Sequence, residues 1–201
     1  MKSDITHYKT IASVQPLALL LLAAMGPQAL AKPPVVTGTL VHLRRATVNI
    51  PHGWSSKSAV YGPISVIYLA RSNTATFQHI RNVESKIVRL QAPPGIDPNK
   101  AVLSASAARK LILEIHHDDG DTKVNFISHT ISWRGIPGRD KLLEFTTKHG
   151  ENYVQFERSV VSGQSTYQVY DLFKKSHKFT AADMTLVGTE WRDLLANIVV
   201  Q

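Results

Sequence analysis

The densest group of side chains able to bind metals or transfer protons is EIHHDDGD, Glu114 to Asp121. Imidazoles and carboxylates are good ligands for zinc, copper or nickel, and calcium takes carboxylates and carbonyls. His116, His117 and Asp119 are therefore the metal candidates. A closed site needs ligands that converge, however, and adjacent residues at a helix end point apart. Histidine also suits a helix C-terminus on dipole grounds, and Asp-Asp-Gly-Asp is an ordinary turn sequence. No metal or other cofactor is expected. Nucleophilic chemistry has less support still: the chain lacks a Gly-x-Ser-x-Gly elbow, a Ser-x-x-Lys helix start and a His-Glu-x-x-His motif. Ser162-Gly163-Gln164-Ser165 reads as a hairpin turn.

Positive charge is the other chemical resource. The formal net charge is +8, and basic residues crowd at Arg44-Arg45, Arg109-Lys110 and Lys174-Lys175-Ser176-His177-Lys178. Such a balance favours anionic partners, such as lipid headgroups, acidic proteins or nucleic acid. Lys174, Lys175 and Lys178 lie beside Phe173 and Phe179, the nearest approach to a nucleic-acid surface. The two phenylalanines read as buried ends of elements, and no nucleic-acid partner is expected. Trp54, Trp133 and Trp191 fall at element ends or on an apolar stripe and are expected in the core.

The N-terminal residues have the layout of a secretory signal. Lys2 and Lys9 precede the apolar run PLALLLLAAM, Pro16 to Met25, and Gly26-Pro27 is followed by Ala29-Leu30-Ala31. Ten apolar residues are too few for a membrane span, which needs about 20. Cleavage after Ala31 would leave a chain of charge +7 beginning at Lys32, bound for the periplasm or for secretion. No later segment is long and apolar enough to be a transmembrane helix. With no cysteine in the chain, disulfides and thiolate chemistry are excluded, so one core must hold residues 32–201 as a single domain.

The elements follow from apolar periodicity and turn residues. Strands are expected over Val35–Leu43, Ala46–Ile50 and Ile64–Ala70, the last nearly continuous in apolar character and hence central. Over Ala75–Leu90 the apolar residues recur near helical spacing, favouring a helical or irregular start and a short terminal strand. Asn99–His117 carries the clearest helical stripe. Val124–Trp133, Lys141–Thr147, Asn152–Val161 and Ser165–Phe173, separated by IPGRD, KHGE and SGQ, form a four-strand antiparallel meander. Thr180–Val200 is helical, with Gly188 leaving one or two segments open. Strands, helix, meander and helix in that order give an α+β domain, an antiparallel sheet flanked by helices.

Four stretches in this order resemble the Mog1/PsbP-like superfamily: VNIPHGW, WRGIPGRD, RSVVSGQSTYQVY and EWRDLLANIVV. The second matches a Gly-x-Pro-Gly-Arg turn frequent in that group. The resemblance implies a sheet sandwiched by helices and used for docking. Members include subunits of the photosynthetic oxygen-evolving complex, a nuclear-transport cofactor and bacterial envelope proteins. None of the group's metal or partner sites matches positions here.

The expectation is an exported, non-catalytic binding or assembly module for an envelope protein or anionic surface, with Arg134, Arg139, Lys174, Lys175 and Lys178 as the binding residues. The arginines stand out because Gly135, Pro137 and Gly138 are explained by a corner in the fold, whereas Arg134 and Arg139 are not. Two alternatives stay open. One is a hydrolase-like enzyme with Ser, His and Asp converging between sheet and Asn99 helix; the other is a secreted effector.

Overall fold

The structure is a computed structural model that describes residues 38–71, 79–103 and 105–201. The signal-like leader, its cleavage after Ala31 and the start of the expected Val35–Leu43 strand lie outside those residues. The elements are β1 (Thr39–Leu43), β2 (Ala46–Ile50), β3 (Trp54–Tyr61), β4 (Ile64–Arg71), β5 (Ile80–Gln91), α1 (Pro98–Leu103), α2 (Ala105–Asp118), β6 (Thr122–Trp133), β7 (Ile136–Thr146), β8 (Asn152–Ser162), β9 (Ser165–Lys175), α3 (Ala181–Ala196) and β10 (Ile198–Val200).

Among the described residues, ten strands form two antiparallel sheets, a small one ordered β1-β2-β10 and a seven-stranded one ordered β3-β4-β5-β9-β8-β7-β6. The expected meander is β6 to β9. β4 lies inside the sheet but next to its edge strand. The helical reading of Ala75–Leu90 is corrected: Ile80–Gln91 is one long strand, paired with β4 and β9. A register shift between Asn82 and Glu84 puts Val83 out of phase and 44% exposed, while Ile80 and Ile87 both stay buried. Seven residues apart, those two isoleucines mimic a helical repeat only because the bulge changes the strand's phase.

Trp191 of α3 stacks on Phe156 at 5.7 Å, and Phe156 meets Phe173 edge-on at 6.0 Å. With Val48 and Ile198 of the small sheet and Ile67, Ile87 and Tyr167, they make the main core. Each such side chain contributes about 1.5–3 kcal/mol on burial. Thr180 opens α3 with a reciprocal capping box to Asp183, and α3 runs through Gly188 as one helix to Ala196. The expected continuation to Val200 is corrected: Asn197 caps the helix, and Ile198–Val200 pairs with β2.

On the opposite sheet face, α1 lies against β7, β8 and β9, and α2 against β6. His116 of α2 sits 4.4 Å from the Phe145 ring. The Asn99–His117 stripe is thus carried by two helices on either side of Ser104, which lies outside the described residues.

The IPGRD connection is also corrected. Trp133 pairs with Ile136, so the turn is Arg134-Gly135 alone, with φ +53° and +86°, and Ile136 to Asp140 already belong to β7. Positive φ at both positions is a type I′ hairpin turn. Pro137 is tolerated because pairing to β8 begins only at Gly138. Gly138 is needed for close approach: a Cβ there would fall 2.4 Å from the Ser159 carbonyl oxygen.

Candidate functional site

The five expected binding residues do not share one surface. Arg134 is exposed at the β6–β7 turn, whereas Lys174 and Lys175 lie level with the far end of the eleven-residue β7, and Lys178 follows in the loop after β9. At about 3.3 Å per residue that separates them by roughly 30 Å. Arg139 is no surface residue: it is 7% exposed, and its Nη1 donates to Ser128 Oγ at 2.9 Å. Burial disfavours its charged form.

Lys174 and Lys175 are each engaged. Lys174 Nζ lies 2.5 Å from Glu151 Oε1, and that hydrogen bond raises the lysine's pKa and lowers the glutamate's. Lys175 pairs with Asp183. Its hydrogen bond, then that from the Thr180 backbone, holds the Asp183 carboxyl well below the usual range, at about 2. Lys178 is exposed, and so are Arg81 at the start of β5, Lys123 in β6 and Lys148 in the β7–β8 turn. Strand direction brings all four to this end of the sheet, and none has a carboxylate partner among the described residues. Glu144 and Asp119, at the same end, have no cationic partner among the described residues.

A cleft of about 420 Å³ opens there, lined by Lys123, Asn125, Glu144, Val154, Lys178 and Phe179, among others. Register sets Asn125, Glu144 and Val154 side by side on one sheet face. The loop into α3 brings Lys178 and Phe179. Lys123 lies in a register shift of β6 with φ +53°, a conformation that side-chain-bearing residues resist.

The metal candidates part company. His116 is buried, with Nδ1 2.7 Å from Asp121 Oδ2, whereas His117 points outward. Asp119 is exposed, and among the described residues no three such side chains come together in a metal-holding arrangement.

Under α1 and α2 lies a feature that motif reading missed. One cross-strand row spans the whole large sheet: Lys57, Tyr68, Lys86, Tyr170, Glu157, Lys141 and Ser128. Lys141 Nζ meets Glu157 Oε1 at 2.5 Å, and the same oxygen accepts from Ser159 Oγ at 2.5 Å and Gln168 Nε2 at 3.2 Å. Burial pushes the Lys141 pKa down and the Glu157 pKa up, and each partner opposes the shift. Burial also raises the Tyr170 hydroxyl, which donates to Gln155 Oε1 at 3.0 Å, while Lys86 sits over the Tyr170 ring at 4.5 Å. On the other face Arg158 grips Asp140 through two hydrogen bonds of 2.6 and 2.5 Å. Among the described residues, the layer the enzyme alternative singled out holds Lys141, Glu157, Ser159, Gln155 and Gln168, with the His116–Asp121 pair beside Phe145. Counting outward from the β7–β8 turn would have paired Asp140 with Arg158 and Lys141 with Glu157. The signal was register, and no motif carries it.

No protein-family model and no curated protein sequence matches the chain. Among solved structures it is similar to cyanobacterial PsbP (CyanoP) from Synechocystis sp. PCC 6803, at TM-score 0.58 and 7% identity, over 87% of this chain and 98% of that one. Weaker likenesses are to the Saccharomyces cerevisiae Ran-binding protein Mog1p, at TM-score 0.45, 14% identity, and 83% and 96% coverage. LpqN, involved in cell envelope biogenesis of Mycobacterium tuberculosis, gives 0.43, 12%, 82% and 86%. No helix among the described residues is long and apolar enough to cross a membrane. The overlap with nearly all of the cyanobacterial protein, together with the helix-flanked antiparallel sheet, shows that this chain has the Mog1/PsbP-like fold.

Proposed function

We propose that the chain is an exported, non-catalytic binding or assembly module of the bacterial envelope, which docks an acidic protein or anionic surface through the lysine-rich end of its large sheet. The carrying observation is the set Arg81, Lys123, Lys148 and Lys178: four exposed cations from four segments, brought to one end without carboxylate partners among the described residues. Glu151 and Asp183 at that end are occupied by Lys174 and Lys175. Unpaired cations on a rigid rim attract anions over about 10 Å at moderate salt, and rim charges mainly set association rate. Of the five residues expected to bind, Lys178 keeps a direct role and Lys174 and Lys175 brace the rim. Arg134 belongs to another surface and Arg139 to the interior. The secretory layout of the first 31 residues supports export, and N-terminal sequencing of the exported chain should begin at Lys32.

Binding to phosphatidylglycerol vesicles and to polyglutamate, a stand-in for an acidic protein, tests the docking. The triple reversal R81E/K148E/K178E should abolish retention on at least one probe, and R134E should leave it unchanged. If R134E weakens binding as much as the triple reversal, or the unaltered chain binds neither probe, the reading fails.

A further inference from the structure

We propose that the cleft between β6, β7, β8 and the loop into α3 binds a small group carrying a phosphate and, a few bonds away, an ammonium. The cleft shows charges of both signs kept apart. Lys123 and Lys178 line it from separate segments, and Glu144 lines it from β7, yet neither lysine reaches within ion-pair distance of that carboxylate. Three charged groups that face one cavity without neutralising one another are complementary to a ligand bearing both charges. Each lysine offers three N–H donors, suited to a phosphate with several acceptor oxygens, and Asn125 adds an amide without a partner among the described residues. Glu144 accepts the ammonium. Val154 and Phe179 supply apolar wall for the methylenes between, and about 420 Å³ lies within the range of small-ligand pockets.

The rim is built to hold this arrangement. Asn152 receives a hydrogen bond from Thr146 Oγ1 at 3.1 Å and donates to the carbonyls of Gly150 at 3.3 Å and Ser176 at 3.4 Å. It thereby ties the β7–β8 turn to the loop that carries Lys178. Phe179 packs against the core, and Thr180 caps α3. The loop is thus held at Ser176 and at Phe179, on either side of Lys178. On the other side Lys123 holds a left-handed backbone inside the register shift, where glycine would sit without strain. Bulges re-aim side chains beside sites, and strain concentrates where a side chain is needed in place. The site shares Lys178 with the docking surface but does not depend on docking, because Arg81 and Lys148 are not among its lining residues.

Titration calorimetry of the full chain with O-phosphoethanolamine and with inorganic phosphate tests the site. The unaltered chain should bind phosphoethanolamine with a dissociation constant at or below about 1 mM. K123G, which suits the left-handed backbone and removes the whole side chain with its ammonium, should weaken it about tenfold while melting no lower than the parent. E144Q should weaken phosphoethanolamine several-fold yet leave inorganic phosphate unchanged or tighter. R81E/K148E should abolish vesicle retention while shifting both titrations far less than K123G does, because neither residue lines the cleft, which separates failure of this site from failure of the docking surface. Vesicles of phosphatidylethanolamine in phosphatidylcholine separate the sources. Retention competed by free phosphoethanolamine assigns a lipid headgroup, and calorimetric binding without retention assigns a soluble compound. No heat with phosphoethanolamine, a K123G variant that binds as the parent does, or an E144Q variant that loses both probes equally would overturn the proposal.

Discussion

Arg134 and Arg139 stand five residues apart in one hairpin, and their environments give them opposite stability roles. Arg134 occupies the first left-handed position of a type I′ turn, at φ +53°. An L-residue with a Cβ resists that conformation by roughly 1–2 kcal/mol, and asparagine suffers least after glycine. Arg134→Asn should therefore raise stability by about 0.5–1 kcal/mol in urea denaturation. Arg139 is buried and donates to Ser128. Arg139→Ala removes packed methylenes and a hydrogen bond and should cost about 1–3 kcal/mol. The two substitutions should move the urea midpoint in opposite directions; equal effects would contradict both assignments. Asp183 gives a pH-dependent case. Its folded pKa of about 2 lies below its ordinary 3.8, so its contribution is complete above the ordinary value and is lost as pH falls towards 2. Asp183→Asn should destabilise α3 by about 1 kcal/mol at pH 7 through loss of the capping box and the Lys175 pair. Melting curves of parent and variant should stay apart down to about pH 4 and converge towards pH 2.

At the scale of elements, the buried Lys141–Glu157 pair explains how β7 and β8 keep their register under α1. Sliding one strand by a residue would leave both charges buried and unpaired, a penalty far above that of an ordinary mismatch. Lys141→Met alone strands the Glu157 carboxylate and should cost about 3–5 kcal/mol, whereas Lys141→Met with Glu157→Leu should recover most of that loss. Chemical denaturation of the two single variants and the double variant reads the coupling; additive losses would mean that the pair does not act as a unit. This pair also marks the limit of reading elements from sequence. The meander, α2 and the capped start of α3 were legible because Gly-bearing turns, a 3.6-residue stripe and a Thr180/Asp183 box are local signals. β5 was not, because the bulge at Val83 disguises alternation as helical spacing. β3 was not, because WSSKSAVY is an edge strand with little buried surface and so carries no apolar face. β10 was hidden inside the helical stripe, since Ile198 falls in step with Leu194 and Leu195 but is buried from the small sheet. The candidate site was legible only in part. The lysine run was visible, but gathering Lys123, Glu144 and Lys178 around one cleft depends on register and on a loop path that no local pattern encodes.

The whole molecule divides its charge into two populations. Lys141–Glu157 and Asp140–Arg158 are internal, with side chains at most 9% exposed, while Arg81, Lys123, Lys148 and Lys178 are exposed at one end. Mobile ions reach the second population and not the first, because screening acts through solvent and buried pairs are shielded from it. Raising salt from about 0.1 M to 1 M shortens the screening length from about 10 Å to 3 Å. Retention on phosphatidylglycerol vesicles should therefore fall steeply over that range, since it draws on several exposed cations at once. The melting temperature should move little, because the ion pairs that hold the sheet are already out of water. Measuring both on the same samples separates the roles: if melting falls in parallel with binding, the exposed lysines contribute to the fold, and the division between a salt-insensitive scaffold and a salt-sensitive docking end is wrong.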